Sequence, residues 1–270
     1  MKLHVSCALL VLHLLLLPMF SLAQQVIVNE LYNSGGSDEW VELLVVQDSL
    51  DLRGWDLRDF SSGGVAQNPL TFSTSTLWSN VRSGTLIVVA RPENTFPEDT
   101  DPSDYLLVIK SDNGLYFTGT VFSFAGSSDA VQIRTPSDVH VFGVSWGSSN
   151  QNSLPSPKVH FSGSSTSNTS ISFNRDSLTL ITNASNWTLN NTSPTRGAGN
   201  TPANAAWIMQ VRGQGLADGS GSARVIPDTL NGGVQGPVQV IYRRNTQYTV
   251  NALRIIVPPA FAWSRSRADV

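Results

Sequence analysis

Two glutamates carry the most pointed chemistry in this sequence. Glu30 lies in the run Val26-Ile-Val-Asn29-Glu30-Leu-Tyr32, and Glu42 in Glu39-Trp40-Val-Glu42-Leu-Leu44. A polar loop, Asn33–Ser37, separates the two β-rich runs and invites a hairpin. If that hairpin is centred on Gly36, the two carboxylates face each other across the strand pair. Like charges in direct opposition are unfavourable unless a cation, a shared proton or hydrogen bonds compensate. The pair therefore supports two readings. One is a metal-ligand or acid/base pair. The other is structural, with each carboxylate accepting hydrogen bonds from loop backbone or from an arginine such as Arg53 or Arg58. A slip of one residue in register would separate the two glutamates.

Three further groups could do chemistry. Asp99, Asp101 and Asp104, with Glu93 and Glu98, make an acidic loop that could hold calcium, as an alternative to a calcium site at Glu30 and Glu42. Its spacing does not follow a fixed calcium-loop signature, and Pro97 and Pro102 interrupt it, so a solvated loop is the simpler expectation. Gly143-Val-Ser145-Trp-Gly147 has the form of a nucleophile elbow. That device needs a strand-to-helix turn followed by an acid and then a histidine. After Ser145 the sole histidine is His160, no Asp or Glu lies between them, and Ser, Asn and Pro follow rather than a helix. His140 and His160 are isolated and read as surface or loop residues.

The elements that must position these residues are strands. The chain has 270 residues, 40% hydrophobic and 14% charged, with a net charge of −3. This is too apolar for a disordered tail and gives no global reason to bind nucleic acid. Residues 1–23 read as a signal peptide: Lys2, an apolar core from Cys7 to Phe20, then Ser21-Leu-Ala23 before Gln24. Its removal takes the single cysteine, Cys7, and leaves His140 and His160 as the mature chain's histidines. The expectation is an exported, secreted or cell-surface protein without disulfides and without a transmembrane segment in the mature chain.

Short β-rich runs recur along the mature chain, among them Leu86–Ala90, Tyr105–Ile109, Val121–Phe124, Val131–Arg134, Val139–Trp146 and Ser170–Phe173. Gly, Ser, Asn, Asp and Pro clusters separate them, and no stretch has a convincing helical period. The fold class is all-β, a sandwich. Within Leu50–Asp59, Gly54 allows a sharp turn, after which Trp55 and Leu57 alternate with Asp56 and Arg58. A boundary falls near Arg196–Ala206, where the turn-rich Thr195–Pro202 closes the first pattern. Residues 24–206 hold 9 basic and 17 acidic residues, whereas residues 207–270 hold 7 Arg and 3 Asp. The division is a β-sandwich over 24–202, a linker over 203–222 and a partial second β-domain over 223–270 with about three strands. That count is short of a full sandwich, so the second domain is expected to be incomplete.

Ordered motifs sharpen this plan. Asn29-Glu30, Trp40-Val-Glu42-Leu, and Leu52-Arg-Gly54-Trp55-Asp-Leu57-Arg-Asp59 follow one another, and Pro194-Thr-Arg-Gly-Ala-Gly-Asn200 closes the series. Together they resemble the lamin tail domain family, in its exported bacterial type, over about residues 25–202. The resemblance implies an immunoglobulin-like β-sandwich in which Asn29, Glu30, Trp40, Glu42, Leu52, Gly54, Trp55 and Leu57 form the structural motif. It also implies no intrinsic catalysis. The segment after Asp218 is similar to immunoglobulin-like repeats of surface proteins. The functional expectation is a non-catalytic binding or scaffolding module, with a protein or a surface polysaccharide as partner and no required cofactor. The alternative is an accessory domain of a larger secreted hydrolase or nuclease.

Overall fold

The computed structural model describes residues 24–148 and 153–213, and two further strands at 222–226 and 239–243. The signal-like segment 1–23 and the expected strand Tyr248–Val257 lie outside the described residues. The chain divides into two units, Met1–Gly215 and Leu216–Val270.

Among the described residues of the first unit, twelve strands follow in chain order: β1 (Val26–Asn33), β2 (Trp40–Val45), β3 (Asp56–Asp59), β4 (Leu70–Phe72), β5 (Leu86–Ala90), β6 (Leu106–Lys110), β7 (Phe117–Gly119), β8 (Asp129–Arg134), β9 (His140–Trp146), β10 (Lys158–Phe161), β11 (Thr169–Phe173) and β12 (Trp187–Asn191). They form two six-stranded sheets, ordered β12-β11-β1-β2-β5-β6 and β10-β9-β8-β3-β4-β7. Most neighbours are antiparallel, but β5 and β6 run parallel in one sheet, as do β9 and β10 in the other. The architecture is thus an all-β sandwich of two mixed sheets.

The central strands explain why the sheets stack. Every residue of β2 is buried, as is every residue of β5, so both faces of this sheet are covered. By contrast β3 alternates, with Leu57 and Asp59 inward and Asp56 and Arg58 outward, the period-2 pattern of a strand with one wet face. Gly54 adopts φ +76°, where a side chain would be strained, and its N–H donates to Phe72 O at 2.8 Å. The turn delivers Trp55 and Leu57 to a core that also holds Trp78, Phe142, Trp146 and Phe173. Burying each such side chain contributes on the order of 1.5–3 kcal/mol. Phe142 of one sheet stacks on Trp187 of the other, with ring centroids 6.3 Å apart.

Two sequence expectations need correction. Val121–Phe124, a β-rich run of three apolar residues and one serine, forms no strand. Its amide groups at Ser123 and Phe124 donate to buried carboxylates, so no neighbouring strand satisfies them. Residues 203–211, read as linker, belong to an α-helix, α1 (Pro202–Val211), within the first unit. Thr201 caps it through a hydrogen bond from Asn204 N, and Pro202 occupies its first turn, where a missing N–H costs nothing. Trp207 and Ile208 enter the core, and Trp207 meets Phe173 edge-on at 5.8 Å.

The described part of the second unit is an antiparallel pair, β13 (Ser222–Ile226) and β14 (Gln239–Arg243), in register from Ser222 opposite Arg243 to Ile226 opposite Gln239. Among the described residues no helix is long and apolar enough to cross a membrane.

Candidate functional site

The register between β1 and β2 sets Glu30 directly opposite Glu42, and Tyr32 opposite Trp40. The pairing shifts by one residue between Val28 and Glu30, so Asn29 is the extra residue of a β-bulge. A bulge re-aims side chains that strict alternation would send to opposite faces. Here it lets Asn29 join Glu30 beside Glu42: Asn29 Nδ2 donates to Glu42 Oε1 at 2.8 Å. All three residues are fully buried.

The cover comes from a segment about 165 residues further along the chain. Thr195 donates to Glu30 Oε2 through both its N–H and its hydroxyl, each at 3.0 Å. Ser170 Oγ donates to the other oxygen of Glu30 at 2.5 Å. Gly197 N–H donates to Glu42 Oε2 at 2.5 Å. Gly197 sits at φ +75°, and a Cβ there would press against Leu106 at 3.2 Å, which makes glycine the fitting residue. Asn200 then bridges two strands, donating to Asn29 O at 2.9 Å and Phe173 O at 2.8 Å. Asn204, in the first turns of α1, donates to Asn29 Oδ1 at 3.1 Å. Residues 195–204 therefore form a strap across the outer face of the first sheet, fastened to Asn29, Glu30 and Glu42. Arg196, between the two anchor points, places its guanidinium over the Phe96 ring, 3.2 Å from the centroid.

Every oxygen of the pair is thus an acceptor from the protein's own donors. Burial pushes the Glu42 carboxyl up to about 8; the bonds from Asn29 and Gly197 oppose this, Glu30 adds to it, and Arg196 opposes it. Burial likewise raises Glu30, against the bonds from Ser170 and Thr195. Chemically the arrangement is a closed fastening. A general base must come within hydrogen-bond reach of its substrate, and here the strap occupies that approach. The arginines suggested by sequence are elsewhere: Arg53 pairs with Asp51 at 2.6 Å, and Arg58 with Asp56 and Asp138 at 3.2 and 2.9 Å. The compensating donors are instead loop backbone and neutral side chains. Trp40 stacks on Tyr32 at 5.7 Å, while Leu52, Trp55 and Leu57 are buried in the main core.

The acidic loop is a separate place. Asp99 Oδ1 accepts from Asp101 N, Asp101 Oδ1 from Ser103 N and Asp104 Oδ1 from Leu106 N, at 3.0, 2.9 and 2.9 Å. These are local turns in which each side chain bonds the backbone two residues on. Among the described residues no three His, Cys, Asp or Glu side chains are grouped so as to hold a metal ion. The expected consequence is a thermal midpoint that calcium and a chelator leave within about 1 °C of each other; a rise of several degrees with calcium would show a bound ion.

Ser145 and His160 do meet. They are register partners on the parallel strands β9 and β10, with Ser145 Oγ 2.9 Å from His160 Nδ1. Ser145 lies mid-strand and is fully buried, so it has none of the exposure a nucleophile elbow provides. Burial, and then Lys158, lowers the His160 pKa, and no carboxylate bonds its ring among the described residues. His140 is likewise engaged, with Gln132 Nε2 at 2.8 Å from Nδ1 and Pro157 O at 2.9 Å from Nε2.

Sequence reasoning singled out the glutamate pair but not its partners Asn29, Ser170, Thr195, Gly197 and Asn204 as one assembly. The usable signal was Thr201-Pro202, a helix cap and first-turn proline, immediately after the Asn200 that closes the motif series. Comparison with known proteins finds no matching family model, no matching curated protein and no matching solved structure.

Proposed function

We propose that the first unit is an exported, non-catalytic binding or positioning module, of the immunoglobulin-like lamin-tail type, that acts from a cell surface or a secreted protein. The observation that carries this reading is the use of Asn29, Glu30 and Glu42. The most chemically suggestive residues of the motif are spent on fastening the strap, and all three are fully buried. Such a site contributes rigidity rather than turnover, and recognition then falls to the loops that the rigid sheets present. The partner class in this reading is a protein or a surface polysaccharide, with no cofactor needed.

The test has two arms on the purified full chain. Sedimentation with insoluble cellulose, chitin and peptidoglycan, and with intact cells, is expected to show saturable retention on at least one surface. Assays with activated ester, phosphodiester and glycoside substrates are expected to show no turnover above buffer. Turnover lost on substituting Ser145 or Glu42 would overturn the reading, as would the absence of retention on every surface.

A further inference from the structure

We propose that residues 121–125 form a pH-released latch, held by Glu39, Asp59 and Asp129 through three consecutive backbone amides. Ser123 N–H donates to Asp59 Oδ2 at 2.8 Å, Phe124 N–H to Glu39 Oε2 at 3.0 Å and Ala125 N–H to Asp129 Oδ2 at 2.7 Å. The three acceptors come from different places in the fold: just before β2, the end of β3 and the start of β8. A segment that lacks a strand partner thus has its amides satisfied by side chains, which unlike a strand's carbonyls can change charge.

What the latch holds down is apolar. Phe122 and Phe124 stack at 5.1 Å, and Phe124 meets Trp146 edge-on at 5.7 Å. Trp146 Nε1 donates to Ala125 O at 2.9 Å. Both phenylalanines belong to the main core, so opening the segment would uncover two aromatic side chains and part of a tryptophan.

The charges around it are unbalanced. Glu39 is 1% exposed, Asp59 7% and Asp129 0%, so all three are largely removed from water. Arg91 is the one cation that the described residues bring to this group, 3.5 Å from Glu39. It is shared with Glu93 at 3.4 Å and also donates to Phe122 O at 3.3 Å. Asp129 takes two more amide donors, Phe60 N–H at 3.1 Å and Ala130 N–H at 2.7 Å, but no cation among the described residues. Three buried carboxylates beside one arginine repel one another once all are ionised.

The direction follows from burial. It pushes Glu39 up to about 7, with Phe124 N–H and Arg91 opposing, and Asp129 up to about 7, with its amide donors opposing. Asp59 is raised too, and its charge adds to the shifts of the other two. In the opened segment these groups return towards ordinary values near 4. The closed form therefore holds more protons between roughly pH 4 and 7, and its advantage falls as pH rises through that window. The latch is closed in mild acid and loosens above neutrality.

Hydrogen exchange of the peptide spanning 121–126 tests this in the full chain, with protection corrected for the intrinsic pH dependence of exchange. Protection is expected to fall roughly tenfold between about pH 5.5 and pH 8.5 and to stay below that of the β2 amides throughout, which marks a local opening. In Glu39→Gln/Asp59→Asn, where Phe124 and Ser123 keep a side-chain oxygen to bond, the pH-dependent change is expected to shrink, with Asp129 supplying what remains. Should the double variant fail to fold, Glu39→Gln alone is expected to show an intermediate change. Protection that holds or rises with pH, protection of 121–126 equal to that of β2 at every pH, or an undiminished change in the variants would overturn the proposal.

Discussion

Glu42→Ala is expected to destabilise the first unit by about 3 kcal/mol, most of it from two buried donors left without an acceptor. Asn29 Nδ2 and Gly197 N–H lose their partner together, and the strap loses one of its two anchor points. Relief of the repulsion from Glu30 returns part of the loss, which keeps the figure below that of a simple sum. Chemical denaturation reads the effect directly. The direction separates two roles for the pair. Groups strained for catalysis or metal binding commonly give a more stable protein when removed. A fastening gives a less stable one. Glu42→Gln should fall in between, because one amide oxygen still accepts while the amide nitrogen faces a donor.

Trp207→Ala is expected to cost about 3–5 kcal/mol and lower the thermal midpoint by roughly 10 °C. Trp207 is 6% exposed and packs on Phe173, the residue opposite Trp187 in the neighbouring strand. Truncating it opens a cavity where α1 meets the sandwich and loosens the helix that carries Asn204 to Asn29. If residues 203–211 were a solvated linker, the same change would be nearly silent. Differential scanning calorimetry of the variant decides between these outcomes.

The glutamate register was legible because two β-rich runs flank a short polar loop, and the centre at Gly36 fixes which residues oppose. The bulge at Asn29 was not, since it arises from pairing geometry and leaves no pattern in a single strand. The turn at Gly54 and the alternation after it could be read directly, because both are local. Helix α1 escaped notice for a physical reason. It is ten residues long, and its buried side chains, Asn204, Trp207 and Ile208, make too narrow a stripe to register as a 3.6-residue period. Val121–Phe124 misled in the opposite sense: its residue types suit a strand, but its amides bond to carboxylates from Glu39 and Asp59, contacts that composition cannot reveal. The partners of Glu30 and Glu42 lay furthest from view. Thr195 is 165 residues from Glu30, and only the folded chain brings the closing motif over the opening one.

The most direct test of the fastening is the exchange rate of one amide, that of Gly197, in the wild-type chain and in Glu42→Ala. If the Asn29–Glu30–Glu42 cluster serves to lock the strap, the Gly197 amide is protected to nearly the same degree as the amides of β2. In Glu42→Ala it then exchanges at least about a hundredfold faster, and by a larger factor than the amides of β2, which lose only the protection that goes with the global destabilisation. A Gly197 amide that exchanges in the wild-type chain as freely as an exposed loop, with Glu42→Ala making no difference, would contradict the account and return the glutamate pair to the candidates for chemistry.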